Sequence, residues 1–302
     1  MRTIIGTNDI IKNRYIRYEL TGQCNFSCKY CSYRHTFNKT EHSKVWKETV
    51  QYINRYNALS KFNNQLMLWG GEPTLHPHFF DICKLSKVPF GLYTNFSKDI
   101  DFFLELYSFK LFQEIYISIH LDQDKSISKT LNSIEKMFEK KRDDVLIRLA
   151  VMLEEEHINE CIDVFNILNS EYNRFTVLKA VDTEGNSYYK TNLLDFNKYM
   201  KEHQYIIVDG KKYTRFDIIQ NNLDFKKCFR FLCNCPSKVI HIDSQGNIFN
   251  CLVFDENNKP ISSIYSNNIK QLENKNKLCP CKNCYNYLLK SGKRKELYVK
   301  ET

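Results

Sequence analysis

Cys24, Cys28 and Cys31 stand at x3 and x2 spacing in the run CNFSCKYC. Thiolates so spaced can hold three irons of a 4Fe–4S cubane and leave the fourth iron without a protein ligand. A metal with an open position is a place for a reaction rather than a structural staple. The same letters would also serve a zinc knuckle or three unrelated core thiols. Roughly 40 residues further on comes QLMLWGGEPTLHP, an apolar strand running into Gly70, Gly71, Glu72 and Pro73. Two glycines at a strand end allow backbone to approach a ligand closely, and the carboxylate after them can accept from an ammonium group. The pair His76 and His78 has metal-like letters, but Pro77 between them favours a turn or a helix start.

The last third holds seven more cysteines, Cys228, Cys233, Cys235, Cys251, Cys279, Cys281 and Cys284. QYIIVDGKKYTRF reads as a β-hairpin turning at Asp209-Gly210. KVIHIDSQGNIFNC reads as a second, which turns at Gly246 and brings Cys235 and Cys251 together at its open end. A zinc site would ordinarily show two C-x2-C knuckles, and only Cys281 and Cys284 make one. Cys83 and Cys161 sit in helix-like stretches and read as buried apolar thiols.

The elements that must position these groups alternate. Strand-like runs cover 15–21, 65–69, 88–94, 114–120, 145–152 and 174–181, with amphipathic stretches near 43–57, 78–86, 99–108, 125–139 and 157–169 between them. Ile158, Cys161, Ile162 and Phe165 follow the i, i+3, i+4, i+7 stripe of a core-facing helix. Six βα units predict a parallel sheet with right-handed crossovers. The first cysteine loop then leaves the C-terminal end of the first strand, where open sheets and barrels bind ligands. The pattern changes after residue 204, which divides the chain into 1–204 and 205–302.

With 302 residues, 42% of them hydrophobic, the chain can bury a full core. No apolar run of about 18 residues and no h-region appears, so neither a membrane span nor a secretory peptide is expected and the placement is cytoplasmic. Twelve cysteines then argue for metal ligation over disulfides. The net charge is +9, but the lysines are scattered, with short pairs such as Lys140-Lys141 and Lys211-Lys212. That reads as a solvated basic surface, and a nucleic-acid partner is not expected.

The cysteine run and GGEP together resemble the radical S-adenosylmethionine (SAM) superfamily. The resemblance implies a partial (β/α)6 TIM-like barrel and a 4Fe–4S cluster on Cys24, Cys28 and Cys31 whose fourth iron is chelated by SAM. A 5′-deoxyadenosyl radical made there abstracts a substrate hydrogen, with the cofactors carrying the chemistry. Tyr30 matches an aromatic near the adenine, and Gly70, Gly71 and Glu72 match the segment that receives the methionine amino group. Tyr93-Thr94-Asn95 resembles the family's frequent Thr-Asn at the end of the third strand. Ser118 falls where the fourth strand supplies a hydroxyl to SAM. The acid usual two positions later is replaced by His120, with Asp122 following, which leaves both as candidate catalytic or SAM-contacting groups. Arg148 alternates with Ile147 and Leu149, a pattern that turns it to the barrel interior to meet the SAM carboxylate. The segment from Lys179 to Gly185 resembles the edge that holds adenine.

Cys235, Gly246 and Cys251 resemble the opening of the SPASM extension, a twitch-like, cysteine-rich unit of hairpins that holds auxiliary 4Fe–4S clusters. One or two such clusters are implied on the seven C-terminal cysteines, although CPCKNC is more compressed than the family's closing run. A structural zinc site is the other reading. The class implied is a radical SAM oxidoreductase or maturase served by a flavodoxin- or ferredoxin-type reductant. The expected substrate is a peptide or protein side chain. Oxidation of a small molecule such as a sugar or aminocyclitol is the alternative; RNA modification and a zinc-stabilised scaffold rank behind it. No winged-helix domain fits ahead of the first strand, so a leader-binding protein would be a separate chain.

Overall fold

The computed structural model describes residues 13–28, 30–31, 41–123, 126–172, 176–180, 204–208, 211–213, 232–233, 239–249, 260–266, 277–278 and 298–301. Strands β1 (Asn13–Thr21), β2 (Asn63–Gly70), β3 (Phe90–Thr94), β4 (Phe112–Ile119), β5 (Leu146–Leu153) and β6 (Thr176–Ala180) alternate with helices α1 (Trp46–Leu59), α2 (Phe79–Leu85), α3 (Ile100–Glu105), α4 (Ile127–Lys140) and α5 (Ile158–Tyr172). All six strands pair in parallel and in sequence order. The result is an open α/β sheet, in accord with a partial TIM-like barrel.

Period-2 alternation splits this sheet into two chemically different faces. Ile16, Tyr18, Leu20, Leu66, Leu68, Phe90, Leu92, Ile115, Ile117, Ile147, Leu149 and Val151 join one buried cluster with the helices. Helix α1 meets it through Thr49, Tyr52, Ile53 and Tyr56, the i, i+3, i+4, i+7 stripe, and α5 through Cys161, Val164, Phe165 and Leu168. Cys83 and Cys161 are buried thiols, and Cys161 donates to Met152 O at 3.3 Å. The residues between those of the core, among them Arg17, Trp69, Tyr93, Tyr116, Ser118 and Arg148, take the other, inner face.

Beyond residue 204, β7 (Gln204–Val208) and β8 (Lys211–Tyr213) pair antiparallel, and the expected turn at Asp209-Gly210 lies outside the described residues. Strand β9 is Leu232–Cys233. Strands β10 (Val239–Ile242) and β11 (Asn247–Phe249) form the second expected hairpin, with Gly246 at φ +85° in its turn. An added Cβ there would lie 2.8 Å from two Ile264 carbons, so the position needs glycine on packing grounds as well. The sequence does not show where this hairpin docks. Strand β10 runs parallel beside β1, Tyr15 opposite Val239, and with β11 and β12 (Ser262–Ser263) it extends the sheet to nine strands. Two smaller pairings remain: β13 (Lys277–Leu278) with β9, and β14 (Tyr298–Glu301) with β7.

Docking β10 buries His241 fully on the inner face, between Trp69 and Phe249. Burial first, then the Arg17 charge, lowers its pKa to about 3. Glu19 Oε2, 3.9 Å from Nε2, is beyond hydrogen-bond reach. His76, also buried, is lowered to about 4. Both histidines take up protons more readily unfolded than folded, so stability is lost as pH falls from about 6.5 towards these values. Urea midpoints measured from pH 7 to pH 4.5 are expected to drop steadily, with a shallower slope in His241→Phe. Equal slopes would show that His241 is not a source of the acid lability.

Candidate active site at the strand ends

The loop carrying the three cysteines is fastened to the end of β2 by two backbone hydrogen bonds. Gly71 N donates to Thr21 O at 2.8 Å and Glu72 N to Gln23 O at 2.7 Å. A Cβ on Gly70, at φ +149°, would stand 2.2 Å from Thr21 O, and one on Gly71 would stand 2.2 Å from Gln23 O. Both glycines are therefore required so that the first strand's exit can lie against the second. The chain that comes close to them is the cysteine loop itself.

Glu72 was expected to accept from an ammonium group, but its carboxylate turns inward and is fully buried. Oε1 accepts from Thr74 N (3.1 Å), Thr74 Oγ1 (2.6 Å) and Thr94 Oγ1 (2.9 Å), and Oε2 accepts from Asn95 N (2.7 Å). Burial raises its pKa, and these four donors oppose the shift. Glu72 thus ties the end of β2 to the end of β3. Asn95 passes the restraint on, its Nδ2 donating to Asn25 Oδ1 at 3.0 Å and reaching Cys24 Sγ at 3.7 Å. Phe96, at φ +59°, turns the chain away directly afterwards. His76 and His78 serve the turn into α2, with His78 N donating to His76 Nδ1 at 3.1 Å.

All three cysteines are free thiols: Cys24 exposed, Cys31 half-buried, Cys28 buried. Phe26 N donates to Cys24 Sγ at 3.4 Å, and Cys31 N closes a turn onto Cys28 O at 3.2 Å. Burial, then the Asp122 charge, pushes the Cys28 thiol up to about 12, so a cation is needed to bring out its thiolate. Among the described residues no three His, Cys, Asp or Glu side chains are grouped as a single metal ion requires. Thiolates on three corners of a cubane, unlike the ligands of one zinc ion, need not converge on one point. In donor chemistry and docking, the loop fits a 4Fe–4S cluster.

A hydrogen-bonded chain closes the other side of this loop. Tyr30 Oη donates to Glu154 Oε1 at 2.8 Å, and Asp122 N donates to Glu154 Oε2 at 2.9 Å. His120 Nδ1 lies 2.6 Å from Tyr30 Oη and 3.4 Å from Cys28 Sγ. With the tyrosine proton committed to Glu154, Nδ1–H is the donor toward Tyr30 Oη. The Tyr30 and His120 rings lie nearly parallel, 7° apart with centroids 5.9 Å from each other, joined edge to edge by this hydrogen bond. Gln123 accepts from Ser27 N at 2.9 Å and donates to Asp122 Oδ2 at 2.8 Å. Asp122 Oδ1 is buried without a hydrogen-bond partner among the described residues.

Glu154 escaped the sequence reading. Continuing the inward alternation of Arg148, Ala150 and Met152 past the end of β5 would have found it. It is 2% exposed, and burial with the Asp122 charge raises its pKa to about 7. Glu154→Ala leaves two buried donors, Tyr30 Oη and Asp122 N, without their acceptor. An expected loss of about 2–4 kcal/mol in urea denaturation follows. Glu154→Gln, which still accepts, is expected to lose less than half of that; equal losses would contradict the acceptor role.

Ser118 lies on the inner face of β4 directly opposite Ala150. Arg148 instead pairs with Tyr116, one inner layer lower, and its Nε donates to Glu114 Oε1 at 2.5 Å. Gln65 Nε2 holds the second oxygen of Glu114 at 3.2 Å. The sequence leads Arg148 to be expected at a SAM carboxylate. The side chain is inward-facing, as alternation required, but it is engaged about 20 Å of strand before Glu154. Cys233 lies on β9, where only the backbone is described. Cys228, Cys235, Cys251, Cys279, Cys281, Cys284 and the segment 181–185 lie outside the described residues.

Residues 18–165, just under half of the chain, match the family model described as the Radical SAM superfamily. That family implies a 4Fe–4S cluster and SAM. An S-adenosylmethionine-dependent nucleotide dehydratase of a Thermoplasmatales archaeon (strain ISO4-H5) is 31% identical over 81 residues, 27% of this chain and 28% of that protein. Native anSMEcpe with bound AdoMet superposes with TM-score 0.60 at 16% identity, covering 87% of this chain and 81% of that one. Streptococcus suis SuiB gives TM-score 0.56 at 12% identity, over 86% and 65%. At those identities the likeness is one of fold.

Proposed function

We propose that this chain is a radical SAM enzyme that reductively cleaves SAM and removes a hydrogen atom from a peptide or protein side chain. The observation that carries the reading is a loop of three free thiols, docked by Gly70 and Gly71 and braced by Glu72 through Asn95, inside the stretch that matches the Radical SAM superfamily. Bound there, the cluster and SAM supply the electron and the 5′-deoxyadenosyl radical, with a flavodoxin- or ferredoxin-type protein as the reductant. The chain supplies position. Cys24, Cys28 and Cys31 ligate, and backbone at Gly70 and Gly71 receives the methionine amino group, since the Glu72 carboxylate is occupied. Ser118 and the orphan Asp122 Oδ1 face the rest of SAM. His120 hydrogen-bonds the Cys28 sulfur.

The peptide reading is supported by fold neighbours whose structures hold a Cp18Cys peptide or the precursor peptide SuiA. A small-molecule substrate is the second reading, favoured by the local match to the nucleotide dehydratase. The C-terminal cysteines hold one or two auxiliary clusters in this proposal. The β9–β13 pairing supports it, since Cys233 lies opposite Lys277, two residues before Cys279. No helix among the described residues is long and apolar enough to cross a membrane, in keeping with a cytoplasmic enzyme. The test is anaerobic incubation of the reconstituted protein with SAM, a reductant and the products of neighbouring genes, followed by mass measurement. A loss of two hydrogens or of water on a peptide, together with 5′-deoxyadenosine, is expected; no 5′-deoxyadenosine under any condition would refute the proposal.

A further inference from the structure

Two arginines face the inner side of the sheet, and they are held differently. Arg148 is neutralised by Glu114 at 2.5 Å. Arg17, half-buried on β1 between His241 and Met67, makes no ion pair among the described residues. Its one hydrogen bond there runs from Nη2 to Tyr93 Oη at 3.3 Å. The guanidinium carbon lies 5.2 Å from the Tyr93 ring centroid and 5.9 Å from that of Trp69, and Tyr116 packs on Tyr93 at 5.2 Å. Glu19, two residues along the same face, is 2% exposed and stands toward His241, which is kept neutral.

A guanidinium partly removed from water, braced by ring faces and a phenol but without a counter-charge among the described residues, is preorganised for an anion. It also lies in the right part of the fold. Arg17 precedes Thr21, at the exit of β1, by about 13 Å of strand, and a long side chain spans much of that. The residues around it form the inner layer directly beneath the strand ends, where ligands of open α/β sheets sit.

We propose that Arg17 anchors an oxyanion of the substrate, a carboxylate or a phosphate, with Trp69, Tyr93 and Tyr116 packing the part next to it. This rests on the enzymatic reading above, because it places the anchor one layer below the cysteine loop. The test is isothermal titration calorimetry of the anaerobically reconstituted, SAM-loaded full chain at low salt, with sodium phosphate and sodium acetate as probes. At least one probe is expected to bind saturably. Arg17→Gln is expected to weaken it about 10- to 100-fold and Arg17→Lys less, the range set by charge-assisted hydrogen bonds. Saturation by phosphate alone points to a phosphorylated substrate, and saturation by both points to a carboxylate.

Tyr93→Phe keeps the ring but removes the phenol that orients Arg17, and a smaller weakening is expected; it decides the matter if Arg17→Gln does not fold. No saturable binding, or equal binding by wild type and Arg17→Gln, would overturn the proposal and leave the cation as a purely structural ring contact. Release of 5′-deoxyadenosine by the wild type is scored separately. Cleavage without anion binding sinks the anchor alone, and Arg17-dependent binding without cleavage sinks the enzymatic reading alone.

Discussion

Cys28→Ala is expected to abolish reductive SAM cleavage, taking 5′-deoxyadenosine release down by three orders of magnitude or more. A cubane with an open corner has only three protein anchors, and removing one leaves two irons exposed to solvent and thiol exchange. Cys28 is the most buried of the three thiols and lies against His120. Its loss therefore also frees the imidazole that joins the loop to Tyr30 and Glu154. The check is deoxyadenosine by chromatography, with iron content and the reduced-state EPR signal measured on the same sample. Cleavage at the wild-type rate would remove Cys28 from the ligand set.

The second large effect is expected from a single added methyl group. Gly71→Ala puts a Cβ 2.2 Å from Gln23 O, 2.6 Å from Gln23 C and 2.8 Å from Gly22 O. All three are backbone atoms, so no side-chain rotation relieves the overlap. The loop must lift away, at the cost of the 2.7 Å and 2.8 Å bonds from Glu72 N and Gly71 N. Overpacking and two broken buried hydrogen bonds sum to a loss of about 3–5 kcal/mol. Reconstituted iron and SAM cleavage should fall with it, since the loop that moves carries Cys24. Lys98→Ala, on the exposed stretch before α3, should change neither. A Gly71→Ala protein with wild-type urea midpoint and iron content would show that the close approach is not what the glycine serves.

Several features could be read from the chain alone because their causes are local. The three-cysteine spacing, the period-2 strands and the α5 stripe each depend on neighbours within a few residues, as do the turns at Asp209-Gly210 and Gly246. The structure bears out the elements and the turn at Gly246. What lay beyond reach was set by which strand ends meet. Glycines read as room for a ligand also make room for the cysteine loop. A carboxylate read as a ligand group is a brace between β2 and β3. Arg148 faces inward as alternation demanded, but the β4–β5 stagger puts Ala150, not Arg148, opposite Ser118. Likewise β10 lies beside β1, more than 200 residues away in sequence, and by docking there it buries His241. Stagger between parallel strands is decided by how the helices between them pack, and that packing is a property of the whole sheet. Residue types and spacings therefore specify the chemistry this chain can perform, while only the assembled sheet decides which side chains are left free to perform it.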